Sequence, residues 1–197
     1  MVPMISIVTV YKESRVSLMA LLRAAQDLEV PHEHIVVAAE TDAKTEWLIN
    51  RHGARYVPIA PNAALKDARG VGTYAATGKY VTWWDECFFP RGGFSQVIQH
   101  LPKRDVTISR VNMYLESLRH ERPVPTLAIA PNVLPAETDV HASCYVVKRE
   151  IAVEEDWRRI EGDRADIHDH TWLSRVVADG ATFQYTPNIV GDVLLCG

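Results

Sequence analysis

Tyr80-Val81-Thr82-Trp83-Trp84-Asp85-Glu86-Cys87 reads as a short, almost wholly apolar strand that ends on two carboxylates. A strand without polar alternation is covered on both faces, the condition of a parallel sheet flanked by helices. Working back, Asn62 is placed to cap a helix with Ala64, Leu65, Ala68, Val71, Gly72 and Ala75 on one side and Gly78 at its end. The same unit occurs twice before it. Residues 5–10 form a β-branched strand, and Ser14 opens a helix whose Leu18, Leu21, Leu22, Ala25 and Leu28 recur at spacings of three and four. Residues 35–39 form the next strand, Asp42 caps a helix that Gly53 ends, and residues 55–59 follow as a third strand. Alternation of this kind predicts an α/β fold, a Rossmann-like and mostly parallel open sheet with helices on both faces. Ligands then sit beyond the carboxyl ends of the strands, here residues 11–13, 40–42 and 85–87. Past residue 90 the pattern loosens. A helix is expected near 93–100, strands at 106–114 and 143–147 around a proline-rich stretch, a helix over 169–178 and a strand at 182–185.

The 197 residues are 47% hydrophobic and 23% charged, values of an ordinary globular chain that rule out disorder and coiled coil, and one domain is expected over 1–197. Lys and Arg number 21 against 25 Asp and Glu, a net charge of -4. That balance lacks the basic excess of a non-specific nucleic-acid binder, although nucleic acid is not excluded as a substrate. Cys87, Cys144 and Cys196 are too scattered for a disulfide framework or paired zinc spacing. With no signal peptide and no apolar run near the roughly 20 residues of a membrane span, the expected location is cytoplasmic. Oligomeric state is not legible.

Asp85 and Glu86 emerge together at a strand end, where paired carboxylates attract a divalent cation; the plainer role is a solvated loop or a helix cap. His168-Asp169-His170 opens the predicted last helix, where an Asp is first of all a cap. The two histidines, at i and i+2, point apart once the helix has begun, so joint ligation requires them to precede it. Lys66 and Arg69 either reach a phosphate or form a solvated face. Trp83 and Trp84 read as core, whereas Tyr11, at the end of the first strand, is placed to lie against a base.

Four segments, taken in chain order, carry a likeness. They are Ile5-Ser6-Ile7-Val8-Thr9-Val10-Tyr11-Lys12-Glu13; Ala68-Arg69-Gly70-Val71-Gly72-Thr73-Tyr74-Ala75-Ala76-Thr77-Gly78-Lys79-Tyr80; Val81-Thr82-Trp83-Trp84-Asp85-Glu86-Cys87-Phe88-Phe89-Pro90; and His168-Asp169-His170-Thr171-Trp172-Leu173-Ser174-Arg175 with Ala178-Asp179-Gly180. Together they resemble the nucleotide-diphospho-sugar glycosyltransferases of the GT-A fold, family 2 in particular. That family has an opening strand I-S-V-V-I-P-T-Y-N-E, a segment A-R-N-A-G-x-x-x-A-x-G-E-Y, an apolar strand before D-x-D-D, and a late E-D-x-D-x-x-x-R-x-x-x-x-G.

The resemblance implies an enzyme that moves a sugar from an NDP-sugar to an acceptor hydroxyl, with inversion. Residues 1–90 would bind the nucleotide-sugar and residues 91–197 would serve acceptor and catalysis. It implies nucleotide contacts from Thr9, Tyr11, Glu13, Glu40, Arg69 and Asp85, a Mn²⁺ or Mg²⁺ ion at Asp85 and Glu86 with His170, and Asp169 as general base. Three positions depart from the pattern. Ala38-Ala39 stand where the family has D-D and offer no side-chain acceptor; Cys87, a soft ligand, replaces the metal-binding Asp; His168 replaces the acid before the base. These departures are the grounds for an alternative, a non-catalytic GT-A-like nucleotide-binding or partner module. A metal-dependent hydrolase built on His168, Asp169 and His170 is a third reading.

Overall fold

The computed structural model describes residues 4–12, 14–39, 41–99, 104–115, 121–124, 141–160 and 165–195. Strand β1 (Ile5–Tyr11), buried over Ile5 to Val10, lies at the centre of the parallel part of the sheet. Strand β2 (His32–Ala38) pairs with it in parallel on one side and β4 (Tyr80–Trp83) on the other, while β3 (Arg55–Pro58) adds to β2. Helices α1 (Arg15–Gln26), α2 (Ala43–Arg51) and α3 (Leu65–Ala75) connect them. Ser14 Oγ accepts the Ser17 N–H and Asp42 Oδ1 the Thr45 N–H, so two of the expected caps form. The third does not. Helix α3 begins after Ala64 with no side-chain cap, and Asn62 lies in the preceding turn at φ 64°, a left-handed conformation in which Asn is enriched.

The adjacent tryptophans after the first three units divide the molecule. Trp83 pairs with Val8 and points to the α3 side, where its indole N–H donates to Thr73 Oγ1 (3.1 Å). Trp84 points the opposite way and meets Phe88, Phe94 and His34. On that opposite side α1 and α2 pack Leu18, Leu22 and Ile49 over Val36. Helices therefore cover both faces, and both tryptophans are core.

Beyond β4 come β5 (Phe88–Pro90), α4 (Gly93–Gln99), β6 (Val106–Leu115), β7 (Glu121–Val124), β8 (Tyr145–Lys148), α5 (Arg149–Glu154), α6 (Ala165–Ala178) and β9 (Phe183–Leu195). The strands all join one sheet in the order β3-β2-β1-β4-β8-β6-β9-β5, with β7 on β6. The α/β class and the parallel first half are as expected. The second half is mixed: β8 runs antiparallel to both β4 and β6, and β9 is parallel to β6. The strand expected over 182–185 extends through Leu195; Pro187 and Gly191, residues that ordinarily interrupt strands, concealed its length. Helix α6 starts at Ala165, four residues before Asp169, so Asp169 is not its cap. Among the described residues no helix is long and apolar enough to cross a membrane.

Candidate active site

Helix α3 lies close against the sheet because of Gly72, where a Cβ would stand 2.3 Å from Val8 Cγ1 and 2.9 Å from Val37 Cγ2. One turn earlier, the same inner face carries Arg69, which is 1% exposed. Its guanidinium lies 4.8 Å from the centre of the Trp157 ring, a cation–π contact strengthened by desolvation. Trp157 stacks on Trp172 of α6 at 4.7 Å, and Trp83 meets both rings edge-on at 5.1 and 5.3 Å. Three indoles from three segments thus form the wall that holds the arginine.

Arg69 bridges two acids that are 100 and 16 residues away in sequence. Its Nη1 donates to Asp169 Oδ1 on α6, and its Nη2 donates to Asp85 Oδ2 just past β4. Asp169 Oδ2 accepts the backbone N–H of Ala142 at 2.6 Å. Asp85 Oδ1 and Arg69 Nε are buried without a hydrogen-bond partner. One positive charge against two negative ones leaves the cluster at -1. Burial by itself raises the Asp85 carboxyl, but the Arg69 guanidinium outweighs it and holds the group below the usual carboxylate range. Burial works against the charge on Arg69 too, and Asp169 with Asp85 more than compensates, so the guanidinium stays ionised.

Beside the cluster, His141 is buried and its Nδ1 accepts the Ser143 N–H at 3.2 Å. That bond leaves the proton on Nε2, which faces Cys87 Sγ at 3.6 Å. Burial lowers the His141 pKa despite Asp169 and Asp85 nearby, and the ring is neutral. Burial, with Asp85 adding to it, pushes the Cys87 thiol up to about 12.

The sequence-predicted residues distribute unevenly around this centre. Asp85, Arg69 and Asp169 meet. Glu86 lies at the same sheet end, but its Oε1 accepts the backbone N–H groups of Lys12 (3.0 Å) and Ser14 (3.1 Å), fastening the β1–α1 loop to the turn after β4. That tie also places Tyr11, the last residue of β1, at the Asp85 end of the sheet, packed partly against the α1 and α2 cluster. Thr9 is fully buried and its Oγ1 is 2.9 Å from His34 Nε2, on the side away from Arg69. Lys66 donates to the Ile160 carbonyl at 2.6 Å. His170 Nδ1 is 3.5 Å from Ser174 Oγ on its own helix. Asp85, Glu86 and His170 are not assembled as a ligand set, and among the described residues no three His, Cys, Asp or Glu side chains converge on a metal position. Glu13 and Glu40, and the side chain of His168, lie outside the described residues.

His141, Trp157 and Trp172 escaped the sequence reading. For Trp172 the signal was present: Asp169, Trp172, Leu173 and Val176 recur at helical spacing, so the acid lies on the buried stripe of α6.

No protein-family model matches the chain, and no curated protein matches its sequence. Solved structures do. Residues 1–349 of S. aureus TarS superpose with a TM-score of 0.71 at 12% identity, over 96% of this chain and 60% of that one. Glucosyl-3-phosphoglycerate synthase from Mycobacterium tuberculosis, in complex with Mg²⁺ and UDP, gives 0.64 at 14% identity over 99% of this chain and 73% of that one. The same enzyme with Mn²⁺ and UDP-glucose gives 0.61 at 16% identity, over 99% of this chain and 72% of that one. The fold is GT-A. The chain spans less than two thirds of either TarS structure it matches, 60% of the fragment and 36% of the longer chain. In GT-A terms the Arg69 cluster sits at the carboxyl ends of β1 and β4, the ligand side of a doubly wound sheet.

Proposed function

We propose that the protein is a glycosyltransferase that moves a sugar from an NDP-sugar to an acceptor hydroxyl with inversion. The observation that carries this reading is the buried Arg69 joining Asp85, at the end of β4, to Asp169 on α6. The GT-A likeness to proteins crystallised with UDP or UDP-glucose supports the donor class. In the transfer the acceptor oxygen bonds to the sugar C1, the C1–diphosphate bond breaks, and the hydroxyl proton passes to Asp169 Oδ1. That role requires Arg69 to release Oδ1. A diphosphate, with more charge than a carboxylate, competes for the guanidinium and supplies the reason to let go.

A divalent ion fits one atom. Asp85 Oδ1 is a buried carboxylate oxygen without a partner in a cluster of net charge -1, and Mg²⁺ is commonly held by one or two carboxylates with substrate phosphates and water completing its shell. When bound, such an ion neutralises charge on the leaving diphosphate. Asp85 would hold it. Cys87 would be a poor partner for it, because a thiol is a soft ligand and Mg²⁺ and Mn²⁺ take oxygen, so the ion is expected together with a diphosphate whose oxygens complete its shell.

One observation favours the non-catalytic alternative: both Asp169 oxygens are already engaged, by Arg69 and by the Ala142 N–H. A thermal-shift panel of nucleoside diphosphates and NDP-sugars with and without Mn²⁺, followed by an assay for release of the diphosphate, separates the readings. Binding with turnover supports the transferase, binding without turnover across acceptors supports the module, and absence of any nucleotide response overturns both.

A further inference from the structure

Strand β9 leaves the ladder of β6 for three residues. Tyr185 pairs with Ile108 and Ile189 with Arg110, so Thr186, Pro187 and Asn188 stand opposite Ser109 alone. The excess chain is closed on itself by the Asn188 N–H donating to Thr186 Oγ1 (3.3 Å), and is tied to α4 by Asn188 Nδ2 donating to Gln96 Oε1 (3.1 Å). Bulges of this kind recur beside binding sites, where they re-aim side chains. Between the bulge, α4 and β6 lies a cleft of about 400 Å³, within the size range of small-molecule sites.

The chemistry of the lining restricts the occupant. Gln96, Gln184 and Asn188 bring amides and Thr107 and Thr186 bring hydroxyls. Among the described lining residues the one ionisable group is Tyr185, which burial pushes up to about 12, so that it carries no charge at neutral pH. An anion entering here would lose hydration with no cation among the described lining residues to replace it, and an apolar ligand would cover the Gln184 amide and the Thr107 hydroxyl without pairing them. A neutral ligand with neighbouring hydroxyls, each both donor and acceptor, matches amides and hydroxyls that are themselves both. We infer that this cleft is a saccharide-binding site for uncharged sugar rings.

The site is separate from the Arg69 cluster. Val106 is in register with Val147 of β8, and Val147 with Val81 of β4, which shares the Trp83 side. Thr107 and its partner Gln184 therefore belong to the Trp84 side, with α4. A ring held there is not the reacting ring; it anchors another part of a glycan across the sheet from the centre.

The inference is independent of the donor reading and is tested by binding alone. Maltotriose, cellotriose and triacetylchitotriose are titrated into the millimolar range against the full chain, following the side-chain amide signals of Gln96 and Gln184 by NMR. At least one trisaccharide is expected to move both, inorganic phosphate to move neither, and Gln184→Ala or the exposed Gln96→Ala to weaken binding by about tenfold. UDP is added to the same samples and read through the Trp157 indole. A UDP response without a sugar response overturns the cleft and leaves the transferase standing; a sugar response without UDP does the reverse. Movement of the amides by phosphate also overturns the assignment.

Discussion

On the Trp83 side of β4 the molecule buries two carboxylates and a guanidinium, whereas on the Trp84 side it pairs a neutral imidazole with a hydroxyl, His34 Nε2 against Thr9 Oγ1. Burying an ion costs several kcal/mol, and buried ion clusters are often replaceable by apolar residues without loss of stability. A cluster left at -1 with an acceptor unfilled therefore has a poor structural justification and a good chemical one. The His34–Thr9 pair also leaves one buried atom without a partner, His34 Nδ1, but it carries no net charge. The difference between the sides is thus one of charge: a neutral pair that can be buried at modest cost, against a net negative charge that calls for a cation.

The largest effect expected is on transfer. Asp169→Asn brings the cluster from -1 to neutral and keeps one acceptor for Arg69, but it turns an amide NH2 toward the Ala142 N–H, so the melting temperature should fall modestly with the fold intact. Turnover should fall by about 10²–10⁴-fold, the usual contribution of a general base. Near-normal transfer in a stably folded Asp169→Asn protein would reduce Asp169 to a tether for Arg69 and erase the distinction between the two sides.

Next in size is Arg69→Ala, which strands two carboxylates against an indole wall. Breaking a buried pair from one side typically costs about 3–5 kcal/mol. The same substitution in an Asp85→Asn, Asp169→Asn background should cost much less, because no buried charge remains to be stranded. Equal costs in the two backgrounds, measured by urea unfolding, would mean that Arg69 acts through packing on Trp157 rather than through charge.

A smaller loss is expected at Gly72, whose close approach to Val8 and Val37 sets the height of Arg69 above the sheet. Gly72→Ala should cost about 1–3 kcal/mol as an overpacking change, with part regained by Val8→Ala. Donor affinity should weaken along with stability, since α3 must lift. A drop in stability with unchanged donor affinity would show that the arginine's position does not depend on this contact.

The first half of the fold was legible because its signals are local: β-branched strands, apolar stripes at helical spacing, and side-chain caps at Ser14 and Asp42. The second half was less so, since β8 entering antiparallel between β4 and β6 is a matter of long-range pairing that no window of sequence contains. In the site, motif order located Asp85, Arg69 and Asp169 but not the bridge between them. The salt bridge to Asp169 spans 100 residues and depends on how close α3 lies to the sheet. Thr9, expected among the nucleotide contacts, lies two residues short of the strand end, and strand alternation turns it toward His34. Asp169 was read as a cap because the helix start was placed four residues late.

The most gradual effect, and the one that tests the neutral side, is on acid stability. Burial holds His34 at about 3 in the folded state, with His32 and His52 adding repulsion, against 6.5 when exposed. Below pH 6.5 the unfolded imidazole takes up a proton that the folded one refuses, so stability falls as pH falls from 6.5 toward 3, and recovers as it rises. Well inside that window a single such group contributes a slope of about 1.4 kcal/mol per pH unit. His141, lowered by burial as well, adds in the same direction, while the depressed Asp85 carboxyl acts only where carboxylates titrate, below its ordinary value of 3.8. Between pH 6.5 and 4.5 urea midpoints thus read these histidines against one opposing group, Glu155, whose carboxyl is raised above its ordinary 4.5 by burial and by Asp179 and so favours the folded state as pH falls. His34→Gln, which keeps a polar atom for Thr9 but cannot titrate, should flatten the slope substantially, leaving the His141 and Glu155 parts. An unchanged slope would show that the imidazole charges within the fold, and the contrast between a charged and a neutral side of β4 would fail at low pH.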